Sequence, residues 1–174
     1  MSGGRFFLYW MLAFLGFPLG GLLAILAVGS VRGVLSAAFA GVLAGAVIGA
    51  AQFLALRGRL GVGPGWIPAT ALGLGLGDAV GAALTGAGTG IASLVVTGIA
   101  AGTAVGGLQW ALLRRRVAAA ILWPPVVAAA WTVGWSVTWS IGVDVERGYA
   151  VFGSSGALVF AAITGAAMLL ITRR

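Results

Sequence analysis

From Phe6 to Gly29 the chain runs without a charged residue, and uncharged apolar runs of similar length recur to its C-terminus. About 20 such residues in a helix cross the ~30 Å hydrocarbon core of a bilayer. Hydrophobic residues make up 61% of the chain and charged residues 7%, where a soluble domain carries roughly 25% charged residues. Such a chain could not hide its apolar surface from water. Inside lipid each span must satisfy its own backbone N–H and C=O groups, which leaves helices or a closed barrel. The runs are continuous, not alternating, so they predict helices.

Glycine, proline and arginine punctuate the runs and predict six helices, at about residues 6–29, 34–57, 66–84, 91–114, 120–142 and from 149 or 153 to 172. The first is too long for the apolar core of a secretory signal, which spans roughly 7–15 residues. Its Gly16, Gly20 and Ala24 also stand 57 residues before Gly73, Gly77 and Gly81. The same interval relates GVLAGAVIGAAQFLALR at 41–57 to GIAAGTAVGGLQWALLR at 98–114. Gly41, Gly45, Gly49, Gln52, Leu56 and Arg57 recur there as Gly98, Gly102, Gly106, Gln109, Leu113 and Arg114. Ala157, Ala161, Gly165, Met168 and Arg173 repeat the register with a shift of two residues. Trp66 and Pro68 recur as Trp123 and Pro125. Periodicity on this scale calls for a repeat architecture. The expected fold is all-α: a single transmembrane domain, 1–174, in which three tandem helical hairpins (1–57, 58–114 and 115–174) form a polytopic six-helix bundle.

The Gln109–Arg114 segment (QWALLR), its counterpart Gln52–Arg57, and a Trp-led span with glycines at fours resemble a group of bacterial multi-span membrane proteins built on the same repeated hairpin. The resemblance covers most of the chain and implies packing, not an activity. Two other three-hairpin or glycine-rich patterns do not fit. The Pro-x-Asp/Glu-x-x-Lys/Arg signature of mitochondrial carriers is absent, and the second helix has no carboxylate of the kind ATP synthase rotor rings need.

All ten basic residues are arginine, and they divide unevenly. Arg5, Arg57, Arg59, Arg114, Arg115, Arg116, Arg173 and Arg174 fall on the side of the termini; Arg32 and Arg147 fall on the other. By the positive-inside rule both termini are expected in the cytoplasm (N-in, C-in) of a bacterial inner membrane. The net charge of +7 is then a set of helix-end arginines facing anionic headgroups, not a nucleic-acid footprint.

Lipid gives no hydrophobic drive between helices, so their association depends on small residues that let backbones approach. Gly41, Gly45 and Gly49, then Gly73, Gly77 and Gly81, then Gly98, Gly102 and Gly106 form such stripes, each on one helix face. Glycine-lined pores are the functional counterpart of this packing reading.

Asp78 is the only acid inside an expected span, in its outer half. Intramembrane acids are functional or paired as a rule. One reading is a cation- or proton-binding group in an outward-facing vestibule. The other is an acid that reaches the outer headgroups or bonds to Thr and Ser of the fifth helix. Gln52 and Gln109 are expected to bridge helices or cap carbonyls, or to join a polar gate that Met168 leaves incomplete. Trp131, Trp135 and Trp139 stand four apart beside a polar stripe that includes Thr132, Ser136 and Ser140. Such a face could stack a planar lipid or pack on a partner subunit or on lipid, while Trp10, Trp66 and Trp123 read as an interfacial belt. Asp144, Glu146 and Arg147 share one loop that reads as solvated.

Without cysteine or histidine the chain has no disulfide, thiolate or imidazole ligand. No metal site, known cofactor or catalytic pair is expected. The leading expectation is a non-catalytic membrane subunit or scaffold that packs with partner subunits or with its own copies and holds lipid or a lipophilic ligand. The rival is a small transporter or channel centred on Asp78.

Overall fold

The computed structural model describes residues 2–143 and 149–172. Among the described residues there are six helices long and apolar enough to cross a membrane. They are α1 (Gly3–Val28), α2 (Val34–Leu60), α3 (Trp66–Thr85), α4 (Ile91–Leu113), α5 (Ala120–Ser140) and α6 (Tyr149–Ile171). The architecture is all-α.

Local chemistry sets the breaks. In α1 a 3-10 turn at Ala13–Leu15 separates two α-helical pieces. Pro18 accounts for it: proline has no N–H to give the Phe14 carbonyl and its ring crowds that oxygen, so the preceding turn tightens. Pro124 and Pro125 cause no such break, because they occupy the first α-helical turn after Trp123, where the N–H groups lack partners in any case. Helix α3 stops at Gly86, whose φ of 65° is left-handed. Ala87 follows at φ 58°, a conformation that costs a residue with a Cβ about 1–2 kcal/mol.

Each helix packs on the next in sequence, and α6 packs on α1, so the six close into a ring. Gly3 lies against Leu169, which places both ends of the described chain at one end of the bundle. Arg59 is at this end too: its guanidinium lies over the Phe6 ring, 5.1 Å from the centroid, and donates to Thr172 Oγ1 at 3.2 Å. We call it the arginine-rich end. The outer surface is apolar, with Leu26 and Leu35 each 76% exposed.

Small residues let the neighbours approach. A Cβ added to Gly45 on α2 would stand 2.8 Å from Ala71 Cα on α3, and one on Gly73 would stand 2.6 Å from Val105 Cα on α4. Gly106 is 2.7 Å by the same measure from Pro124 Cα on α5, and Gly134 2.9 Å from Gly156 O on α6. Gly16 and Gly20 meet Ile48 and Ala44 on α2, and Gly165 meets Trp10. Most of these neighbours are backbone atoms, which cannot swing aside as a flexible side-chain end can.

Gly107 provides the internal contrast. It lies in α4 beside Gly106, yet a Cβ there would meet nothing within 4 Å. Gly45→Leu and Gly102→Leu are expected to lower the melting temperature in detergent sharply, overpacking of this kind costing about 1–3 kcal/mol or more. Gly107→Ala should hold or raise it, since alanine is favoured over glycine in a helix by about 1 kcal/mol. Equal melting temperatures for the Leu variants and the parent would refute close backbone approach as the basis of assembly.

Candidate functional site

The two ends of the bundle interior are built differently. At the arginine-rich end three tryptophans, each near the start of an odd-numbered helix, turn inward. Trp10, Trp66 and Trp123 are buried, with ring centroids 6.2 Å apart for Trp10 and Trp123 and 6.4 Å for Trp66 and Trp123. The interfacial belt expected for them is therefore corrected. An indole N–H away from water must find an acceptor, and each does.

Trp66 Nε1 donates to Gln52 Oε1 at 3.0 Å and Trp123 Nε1 to Gln109 Oε1 at 2.8 Å. Gln109 spends its amide N–H groups on Gln52 Oε1 (3.2 Å) and Thr70 Oγ1 (2.9 Å). Thr70 in turn donates to the Trp66 carbonyl at 2.9 Å. The third tryptophan has no glutamine to meet, because Met168 occupies that register. Trp10 Nε1 instead donates to Thr164 Oγ1 at 3.0 Å, one turn earlier on α6. Leu56, Leu113 and Met168 fill the rest of this layer and are fully buried. Gln52 and Gln109 thus bridge helices, and both are buried.

At the other end, a partly open cavity of about 430 Å³ is lined by residues of α1 to α5 and of the loops at Ser30–Val31 and Ala87–Thr89. Its walls hold alanines from α2, among them Ala40 and Ala44, with Phe17, Ile48, Leu74, Trp131 and Trp135 toward the middle of the bundle. Asp78 lines it and is the charged residue among the described lining residues. Its Oδ2 lies where a Cβ on Gly41 would stand only 2.8 Å away, so this carboxylate fits beside α2 because residue 41 has no side chain. Among the described residues no ion pair or hydrogen bond holds it. An acid at membrane depth costs about 2.5–3.5 kcal/mol on insertion scales. The walls around it offer nothing basic.

The structure therefore brings Asp78, Trp131 and Trp135 into one cavity and leaves the other sequence candidates outside it. Trp131 and Trp135 are only 5% and 8% exposed, so they do not form an outward face for lipid or a partner; Trp139, 48% exposed, points away from them. Ser136 donates to the Thr132 carbonyl at 2.9 Å, and Thr132 and Ser140 likewise bond the carbonyls four residues back on α5. That stripe is satisfied within its own helix and does not reach Asp78. The loop with Asp144, Glu146 and Arg147 lies outside the described residues. Phe17 and the acceptors Thr70 and Thr164 were not singled out from sequence. The one available signal was the constant interval of 14 residues from Gln52 to Trp66 and from Gln109 to Trp123.

Chemically, the cavity can accept an apolar body with a positively charged or hydrogen-bond-donating group. Comparison with known proteins finds no matching family model, no similar curated protein and no similar solved structure.

The amide layer yields a quantitative expectation. Gln109→Leu strands the Trp123 indole N–H and removes a partner from Gln52, so it should destabilise the protein by about 1–3 kcal/mol. Gln52→Leu should cost a comparable amount, and the double variant less than the two costs added, by about 0.5–3 kcal/mol of coupling. Additive losses in reversible unfolding in detergent would show that the amides act independently.

Proposed function

We propose that this chain is a non-catalytic integral membrane protein that holds a lipophilic ligand in the cavity at its arginine-poor end. The observation that carries the reading is the cavity itself. Its volume of about 430 Å³ falls within the roughly 300–1,000 Å³ of small-molecule sites, which are mostly apolar with a few placed polar groups. The tryptophan–glutamine layer makes the cavity blind toward the arginine-rich end, which favours holding a ligand over conducting one.

The proposed topology is three hairpins with both termini in the cytoplasm. Three features support it: the arginine asymmetry, the 57-residue interval between Gln52 and Gln109, and the pairing of each inward tryptophan with the preceding even-numbered helix around the ring. Reporter fusions at the two termini should both read cytoplasmic; opposite readings would overturn the scheme.

Asp78 at the cavity wall favours a second reading, a small transporter or channel, in which the inner layer would have to open. In proteoliposomes the holding reading predicts no ion conductance. Flux that is present in the parent and lost in a folded Asp78→Asn variant would replace it with the second.

The holding reading itself is tested by native extraction. Protein purified from its own membrane in mild detergent should carry a small molecule detectable by mass spectrometry. Ala40→Trp, which fills the cavity from α2, should remove that molecule while the protein stays folded. An identical small-molecule profile in parent and variant would dismiss the cavity as a ligand site.

A further inference from the structure

Resting on the ligand-holding reading, we propose that the cavity selects a lipophilic cation, a quaternary or protonated amine, seated between the Asp78 carboxylate and the rings of Phe17, Trp131 and Trp135. Three observations converge on this class.

The first is charge. Asp78 lines the cavity with no ion pair or hydrogen bond to it among the described residues. Its Oδ2 lies beside the backbone of α2 at Gly41. A carboxylate in low dielectric attracts a cation strongly and repels an anion by the same field. A neutral ligand would leave it unpaired.

The second is the aromatic wall. Phe17 and Trp131 stack at 5.7 Å between centroids in a tilted pair, and both line the cavity together with Trp135. Phe160 backs this wall, 5.1 Å from Phe17 and 4.9 Å from Trp131, so the rings are fixed before any ligand arrives. Ring faces attract ammonium groups, most strongly when water is excluded, and aromatic cages are the usual receptors of quaternary ammonium.

The third is the oxygen set. Calcium takes six to eight oxygens and magnesium keeps much of its water, whereas beside the one carboxylate the lining side chains that carry oxygen are the neutral hydroxyls of Ser30, Thr89 and Thr97, so a bare metal ion would meet a single charge. An organic cation brings its own apolar shell and asks only for charge and van der Waals contact. The site's volume suits a body of that kind.

The experiment uses the full chain in phosphatidylcholine nanodiscs, with empty discs as baseline. Two probes of one shape are compared by equilibrium dialysis: benzyltrimethylammonium and its uncharged carbon isostere, neopentylbenzene. We expect saturable binding of the cation at least about ten-fold tighter than of the isostere, a difference of about 1.4 kcal/mol. Asp78→Asn should erase that preference, and Trp135→Leu should reduce it. Equal affinity of the parent for the two probes would overturn the cation inference without calling on any variant. So would a preference that survives in Asp78→Asn. In either case, probe binding that Ala40→Trp abolishes would leave the ligand-holding reading standing. Binding of neither probe above the empty discs would also overturn the inference, and the native-extraction comparison would then judge the cavity reading separately.

Discussion

A buried indole N–H must be given an acceptor, and the arginine-rich half of this bundle is arranged around that requirement. Trp66 reaches from α3 to Gln52 on α2, Trp123 from α5 to Gln109 on α4, and Trp10 from α1 to Thr164 on α6. These bonds join helix pairs around the whole ring, including the pair that closes it across 154 residues of sequence. Gln109 then ties two of the pairs together through Gln52 and Thr70. In hydrocarbon no water replaces a lost partner, so each broken bond would leave a donor or acceptor unsatisfied. Indole rings also supply bulk. They fill the space between helices that small residues elsewhere hold at close range.

The opposite end follows a different rule of filling. There the interior positions of α2 are alanines such as Ala40 and Ala44, and the closest helix contacts are made on the flanks of the ring by Gly41, Gly75 and Gly77. Small residues at the flanks bring neighbouring backbones together; small residues facing the axis leave the middle empty. The cavity is thus a product of where large side chains are placed. Phe17 and Trp131 mark the depth at which filling stops, and Asp78 lies on the open side of that boundary.

Much of this fold is legible in the sequence because each span must be apolar along its length and must end in something that stops a helix. The expected starts and stops at Gly, Pro and Arg lie close to the observed ends, and the glycines that recur at fours lie where helices touch. The 3-10 turn before Pro18 is also a consequence of sequence, but a long uninterrupted apolar run hides it. Rotation is harder to read. In a soluble helix polarity marks the outward face, whereas here both faces are apolar. Trp66 at a helix start is compatible with a membrane interface or with the bundle axis, and only the glutamine 14 residues upstream distinguishes the two. The Trp131–Trp135–Trp139 series shows the other difficulty. Four residues advance about 400° around a helix of 3.6 residues per turn, so each step drifts by about 40°. Two steps carry Trp139 out of the interior that still contains Trp131 and Trp135. The Thr132, Ser136 and Ser140 hydroxyls look like a polar face in the sequence but spend their protons on their own helix, as such side chains commonly do.

The two polar features of the interior differ in how they can be satisfied, and this difference separates structure from site. An amide both donates and accepts, so Gln52 and Gln109 can meet each other, a hydroxyl and two indoles without any outside partner. Their layer is complete within the chain. A carboxylate only accepts, and a neutral donor leaves its charge in place. Most of the arginines are gathered at the far end of the helices, where Arg59 and Arg116 are engaged with Phe6, Thr172 and the Leu60 carbonyl, and Arg32, which follows the lining residue Val31, is exposed and does not itself line the cavity. Nothing described at the cavity provides a positive charge. The chain therefore satisfies its buried polarity internally at one end, while at the other the described residues leave the Asp78 carboxylate without a counter-ion, the place where we propose an amphiphilic cation.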